Sequence, residues 1–208
     1  MTNEALDAIR TAFDGRAATY DASDMHRAVA EASAEFATLE GVQDVLDIAT
    51  GTGLVVRAIH AHNPQLRLTG TDISPAMIAV ARTALPLASW IETDVAALPL
   101  ADASVDLITC VTALHVIPHV DEAVAEWRRL LRPNGRVVTA TFSETNGAHS
   151  RDEEAGSAHR PYLRRHLPFR TIEDLSRTAA SYGFNISRHT TWTDGADTVL
   201  IAEWRRAN

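Results

Sequence analysis

Two glycines, Gly51 and Gly53, follow a short apolar run and precede a stretch of helical spacing. Glycine at such a turn lets the backbone approach a ligand, and the start of the helix can face an anionic group. Nineteen residues after Gly53, the next apolar run ends at Asp72. A carboxylate there can accept both hydroxyl hydrogens of a ribose, although it can also cap the helix that follows. Asp94, after a third run, can accept from an exocyclic amine; the plainer reading is a loop aspartate, since aspartate is a common turn residue. Two phosphate-binding patterns fail. A phosphate loop needs a lysine that this chain lacks, and a dinucleotide fingerprint needs a third glycine where Val56 stands.

Composition removes further chemistry. All 19 basic residues are arginine, so Schiff-base and pyridoxal-phosphate mechanisms are excluded. Cys110 is the only cysteine, which excludes internal disulfides, thiolate zinc sites and cysteine-ligated iron–sulfur clusters. His115 and His119 stand four apart, but Pro118 disturbs the helix that a metal pair would need, so no metal site is expected. With 27 acidic residues and a formal net charge of −8, the basic stripe of a duplex binder is missing and no nucleic-acid partner is expected. The first residues are polar and acidic, and no apolar run approaches the ~18 residues of a membrane span. A cytoplasmic protein without a membrane partner is therefore expected. The arginine- and alanine-rich, lysine-free usage resembles that of a GC-rich bacterial genome.

The elements that must position these residues alternate. Helices are expected over residues 3–13 and 24–38, the second capped by Ser23. Residues 42–49 read as a buried strand, 54–62 as a helix stopped by Asn63-Pro64, 66–71 as a strand, and Ser74-Pro75 as a helix start. Strands follow at 88–92 and 105–112, then a helix capped by Asp121 and running to Leu131. Arg132 to Gly135 read as a turn and 136–142 as the fifth strand. Residues 143–170 carry no periodicity. Thr171 and Asp174 form a capping-box pattern opening a helix that Gly183 closes. Two final strands, 184–192 and 197–204, flank Asp194-Gly195, a strong hairpin signal. Repeated strand–helix alternation predicts an α/β, doubly wound, mostly parallel sheet with ligands at the carboxyl ends of its strands. At 208 residues, one domain is expected.

The motifs, taken together, resemble class I S-adenosylmethionine-dependent methyltransferases. Val45 to Gly53 is similar to that family's first motif and Thr69 to Ser74 to its second. Asp94 to Pro99 and Val105 to Cys110 resemble the third and fourth, and Leu130 to Arg136 the segment before the fifth strand. The likeness spans roughly residues 40–142 and is nearest to the small-molecule methyltransferases related to quinone biosynthesis enzymes. It implies a Rossmann-like seven-stranded sheet of order 3-2-1-4-5-7-6 with the last strand antiparallel. It also implies S-adenosylmethionine as cofactor. Gly51 and Gly53 would line its methionine part, with Asp47 steadying that loop or the amino group. Asp72 would hold the ribose, Ile73 would lie against the adenine, and Asp94 with the Val95 backbone would take the adenine amine. Cys110 would present its backbone to the methionine end. Ala49 stands where the family has its first glycine, which a methyl group tolerates if the backbone keeps a negative φ.

The acceptor side is less sharply written. Phe13, Arg16 and Tyr20-Asp21 resemble the family segment lying over the cofactor, making residues 1–40 a pair of lid helices. Tyr20 and His115 are candidates for an orienting or general-base role; each can equally be a half-buried aromatic or a hydrogen-bonded structural histidine. Residues 143–170 are far longer than an ordinary connection. Arg160, Tyr162, Arg164 and His166 make them a candidate substrate-binding lid over an anionic acceptor, or else a solvated loop. The expected reaction is methyl transfer to a small-molecule acceptor, most simply at oxygen, in secondary metabolism. Two alternatives are a cyclisation-type enzyme that binds the same cofactor without transferring methyl, and a nicotinamide-dependent oxidoreductase. A homodimer is compatible with the sequence.

Overall fold

A computed structural model describes residues 2–145 and 162–207. Arg160 therefore lies outside the described residues. The N-terminal part holds α1 (Thr2–Asp14) and α2 (Asp24–Phe36), joined by a 3-10 turn over Ala17–Ala22. Next come β1 (Asp44–Ile48), α3 (Leu54–His62), β2 (Arg67–Asp72), α4 (Pro75–Ala84) and β3 (Ser89–Glu92). The second half runs β4 (Val105–Val111), α5 (Val120–Leu130), β5 (Leu131–Thr145), α6 (Ile172–Ser181), β6 (Phe184–Thr193) and β7 (Asp197–Arg206). The seven strands form one sheet of order β3-β2-β1-β4-β5-β7-β6. The β7 strand pairs antiparallel with both β5 and β6, while the other pairings are parallel. This is the Rossmann-like arrangement that the motifs imply.

Apolar side chains on the two faces of the sheet bury two helical layers. Val29, Ala34, Val56, Ile59, Ile78 and Ala81 of α2, α3 and α4 pack on one face. Trp127 of α5, Leu175 of α6 and Phe184 of β6 pack with Trp204 of β7 on the other. Trp127 and Phe184 meet Trp204 edge-on, with centroids 6.1 and 6.0 Å away. The helix starts follow local chemistry. Ser23 and Ser74 accept from the N–H groups of His26 and Met77, and Thr171 accepts from the Asp174 N–H while donating to its carboxylate. Gly183 (φ +73°) follows α6, and Gly195 (φ +88°) turns the final hairpin.

Two expectations fail locally. Asp121 does not cap α5: His119 occupies that position without a side-chain cap, and Asp121 sits in the first turn, where it accepts from the Tyr182 hydroxyl. Residues 132–135 are not a turn before β5 but part of it. Leu131 already pairs with Val105, and the register jumps to Leu107–Arg136, so the segment bulges from the ladder, where Pro133 has no N–H to contribute. Among the described residues, no helix is long and apolar enough to cross a membrane.

Candidate active site

Parallel strands that all point one way bring the residues after them to one edge of the sheet. A partly open, mostly apolar cavity lies there, a concave lining of the kind that small-molecule sites use. Ala49 and Gly51 line it after β1, Asp72 and Ile73 at and after the end of β2, Asp94 and Val95 after β3, and Val111 to Ala113 at and after the end of β4. The opposite wall is apolar: Leu6, Ile9 and Phe13 of α1, with Val116, Ile117 and Pro118 before α5. Tyr20 lies between these walls, with Cε1 3.9 Å from where a side chain on Gly51 would start.

The carboxylates are set by hydrogen bonds to backbone and hydroxyl groups. Asp72 accepts from the Gly51 N–H (2.8 Å) through Oδ2 and from the Ser74 N–H (2.9 Å) through Oδ1. Burial raises its pKa against these donors. Each Asp72 oxygen has a second lone pair, so the group retains capacity for two incoming hydroxyls. Asp94, in the cavity wall, accepts from the Ala96 N–H at 3.1 Å through Oδ1 in an Asx turn. Asp47 lies beneath the cavity. It is 1% exposed and accepts from the hydroxyls of Thr50 (2.6 Å) and Thr109 (2.5 Å). Burial pushes its pKa up to about 7, with the Asp72 charge adding to the effect. Through Thr50 it ties down the loop that carries Gly51.

The N-terminal segment is fastened over this edge. Asp14 accepts from the Ser74 hydroxyl (2.5 Å) and the Ala76 N–H (3.2 Å), and Arg10 donates to the Ile73 carbonyl at 3.2 Å. Asp21 accepts from the Thr52 hydroxyl and pairs with Arg57 at 2.5 Å. Tyr20 stacks on His26 with centroids 4.4 Å apart and shares a hydrogen bond with the Thr112 side chain. Burial pushes the Tyr20 phenol up to about 12 and outweighs that bond. At neutral pH it is a donor. Of the two roles expected for Tyr20, a phenol held protonated is poorly suited to that of general base.

Several expected site residues fall elsewhere. Gly53 caps α3 at φ +79°, and a Cβ there would lie 2.5 Å from the Trp90 ring. Its glycine is thus required by packing and backbone conformation, not by the cavity. Cys110 is fully buried within β4, opposite Thr139 of β5, and Val111 and Thr112 form the cavity edge instead. Burial raises the Cys110 thiol pKa, so it stays protonated. His115 and His166, expected as base and substrate contact, are not among the residues that line the cavity; their rings stack at 4.4 Å, and His115 meets the edge of Phe142 at 5.5 Å. Tyr162 and Arg164 do return to the N-terminal segment: Tyr162 stacks on Phe13 at 5.9 Å, and both Arg16 and Arg164 donate to its hydroxyl.

Ala49 does not keep a negative φ. It sits at +51°, and Thr112, which follows β4, at +52°. The left-handed region costs a residue with a Cβ roughly 1–2 kcal/mol and is rarer still for a β-branched one. Both residues line the cavity. Thr112 is held by its N–H on the Ala140 carbonyl at 2.8 Å. No local pattern marks Thr112, since threonine at the end of a β-branched strand predicts ordinary extended backbone.

Comparison with known proteins places this geometry. Residues 46–139 match a family model described as a methyltransferase domain. The chain is 32% identical over 137 residues to malonyl-[acyl-carrier protein] O-methyltransferase of Hahella chejuensis, covering 64% of this chain and 49% of that protein. It is 32% identical over 130 residues to demethylmenaquinone methyltransferase of Thermus thermophilus, covering 60% and 56%. The chain thus spans about half the length of the curated relatives it matches. Among solved structures, a chain of the complex between the Haloferax volcanii Trm112 methyltransferase activator and its partner superposes with a TM-score of 0.78 at 20% identity. That likeness covers 94% of this chain and 98% of the other.

Proposed function

We propose that this chain, whose central segment is a class I S-adenosylmethionine-dependent methyltransferase domain related to the quinone-biosynthesis enzymes, methylates a small molecule at oxygen. The observation that carries the reading is the division of one cavity into two unlike halves. One half offers Asp72 and Asp94 beside Gly51, Ile73 and Val95; the other is apolar. The first half fits the cofactor. Asp72 has lone pairs for two ribose hydroxyls, Ile73 and Val95 present apolar surface to an adenine, and Asp94 can accept from its amine. Gly51, beneath Tyr20, leaves room for the methionine portion. When bound, S-adenosylmethionine supplies an activated methyl group on a sulfonium, so departure of the sulfur needs no acid.

The remaining work falls to alignment and exclusion of water. Leu6, Ile9, Phe13, Val116 and Ile117 provide a dry wall for the acceptor. Tyr20, kept protonated by burial, donates a hydrogen bond that orients the acceptor oxygen where the two halves meet. Residues 1–40 serve as the lid over the cofactor and residues 143–170 as the substrate insertion of a single domain, with Tyr162 and Arg164 on the acceptor side. Oxygen is favoured because the polar side chains nearest that junction, Tyr20 and Thr112, are hydroxyls able to hydrogen-bond an oxygen nucleophile. The relative in Hahella chejuensis is named as an O-methyltransferase.

Calorimetry with S-adenosylmethionine, followed by a screen of phenols, enols and carboxylic acids for release of S-adenosylhomocysteine, tests the proposal. Saturable cofactor binding and one S-adenosylhomocysteine per O-methylated product are expected. Cofactor binding with turnover but no S-adenosylhomocysteine would assign the chain to non-methylating chemistry. Methylation only at carbon or nitrogen would overturn the choice of oxygen.

A further inference from the structure

We propose that Arg16 and Arg164 form an anion clamp at the mouth of the cavity, and that the methyl acceptor carries an oxyanion, a carboxylate or a phosphate, on an apolar body. The inference rests on the methyl-transfer reading and deepens it by naming the acceptor's charge. The two guanidinium groups converge on one neutral atom: Arg16 donates to the Tyr162 hydroxyl oxygen at 3.3 Å and Arg164 at 3.2 Å. Neither forms an ion pair with a carboxylate among the described residues, and both spend a donor on the same phenol. Arg164 Nε is buried and also lacks an acceptor. Two adjoining cations without a counter-ion repel each other, and on a chain of net charge −8 their pairing with acid was readily available. Left as they are, they present unspent N–H donors in the planar arrangement that suits carboxylate and phosphate.

Their placement ties them to the acceptor half. The Arg16 guanidinium lies 4.2 Å from the centre of the Phe13 ring, and Phe13 is a cavity wall. Tyr162 stacks on that same ring, and Arg164 lies 5.5 Å from the Tyr162 centroid. The aromatic pair therefore holds both cations beside the apolar wall formed by Leu6 and Ile9. The Arg16 charge is also felt at Tyr20, within the cavity. An acceptor entering with its apolar body inward would bring its anionic end to the clamp and its nucleophile toward Tyr20. The clamp joins two segments 146 positions apart, which is why residues 143–170 read alone yield only half of it.

Benzoate tests the clamp, with benzamide as its neutral counterpart and phenyl phosphate as a second anion, each titrated into the chain saturated with S-adenosylhomocysteine. At least one anion is expected to bind about tenfold or more tighter than benzamide, and which anion does so distinguishes carboxylate from phosphate. Arg16→Gln and Arg164→Gln should each bring that ratio close to one. Arg27→Gln, which alters an arginine paired with Asp24 on the outer surface, should leave the ratio intact. No anion preference, or a preference surviving both substitutions, overturns the clamp. Failure of S-adenosylhomocysteine to bind would instead count against the methyl-transfer reading, and the same ratio measured without it would still decide the clamp.

Discussion

The two ends of the central sheet handle carboxylates in opposite ways, and β1 carries one of each kind. At the amino end, Asp44 accepts from Arg67 at 2.6 and 2.7 Å, and Arg132 bridges Asp44 and Asp106 at 2.8 and 2.7 Å. The Asp106 carboxylate also takes the N–H groups of Gln43 and Asp44. The Arg67 hydrogen bonds hold Asp44 below the usual carboxylate range. Asp106 is likewise held low, its burial outweighed by the Asp44 N–H and Arg132. At the carboxyl end, Asp47 and Asp72 meet only hydroxyl and backbone donors, and burial pushes both upward. One end completes its charges internally and is scaffold. The other end keeps acceptor capacity that a ligand rich in hydroxyl and amine donors would use.

The largest expected effect separates the ends by the sign of their pH dependence. In the unfolded chain Asp47 releases its proton near the usual ~4, while in the fold it holds it up to about 7. Its contribution to stability is therefore complete below about pH 4 and is lost as pH rises toward about 7. At ~1.4 kcal/mol per unit, the loss is on the order of 4 kcal/mol. Asp47→Asn should remove it, so the variant gains on the parent as pH rises through that window in urea unfolding. Asp44 and Asp106 run the other way: their lowered pKa values make their contribution full above about pH 4 and lost as pH falls further. A pH-independent difference between Asp47→Asn and the parent would sink the contrast.

The next effect separates the ends by ligand. Asp72→Ala removes the acceptor proposed for the ribose, a charge-assisted interaction typically worth ~1.5–3 kcal/mol. S-adenosylmethionine should bind about tenfold or more weakly by calorimetry. Asp106→Ala should leave that dissociation constant unchanged and lower the unfolding midpoint instead, because it strips a partner from Arg132. Equal losses of cofactor affinity in both variants would show that the two ends are not functionally distinct.

Much of this division is legible in the sequence, and its limits have a physical cause. Strand order, the caps at Ser23, Ser74 and Thr171, and the Asp194-Gly195 hairpin depend on residues close in the chain, where type and spacing specify backbone geometry. The cofactor half inherits that legibility, because Gly51, Asp72, Ile73, Asp94 and Val95 each end a strand or follow one. The acceptor half does not. Its wall joins α1 to residues before α5, and Tyr162 reaches Phe13 across the fold; such contacts leave no periodicity. His115 illustrates the limit: a histidine after β4 is at the correct edge of the sheet, yet it packs against His166 and Phe142, distant in sequence, and is not among the cavity-lining residues. The positive φ at Ala49 and Thr112 opposes their local preference and follows from the pairing around them.

The smallest effect concerns Thr112, at the seam between the two halves. Its backbone at φ +52° suits glycine, and its side chain bonds to Tyr20. Alanine and glycine at this position remove that hydrogen bond equally, but only glycine also relieves the backbone. In ordinary conformations Gly is the less stable of the two by ~0.4–1 kcal/mol, because its unfolded state is freer. Where φ is positive, the ~1–2 kcal/mol cost of the Cβ reverses the comparison. Thr112→Gly should therefore be more stable than Thr112→Ala by several tenths to about 1 kcal/mol. The two should lose similar turnover with little change in cofactor affinity, since Tyr20 loses the same partner in both. A more stable alanine variant would mean that the loop relaxes out of the left-handed region once the threonine is gone. The strain would then belong to the threonine side chain rather than to the fold that carries the cavity.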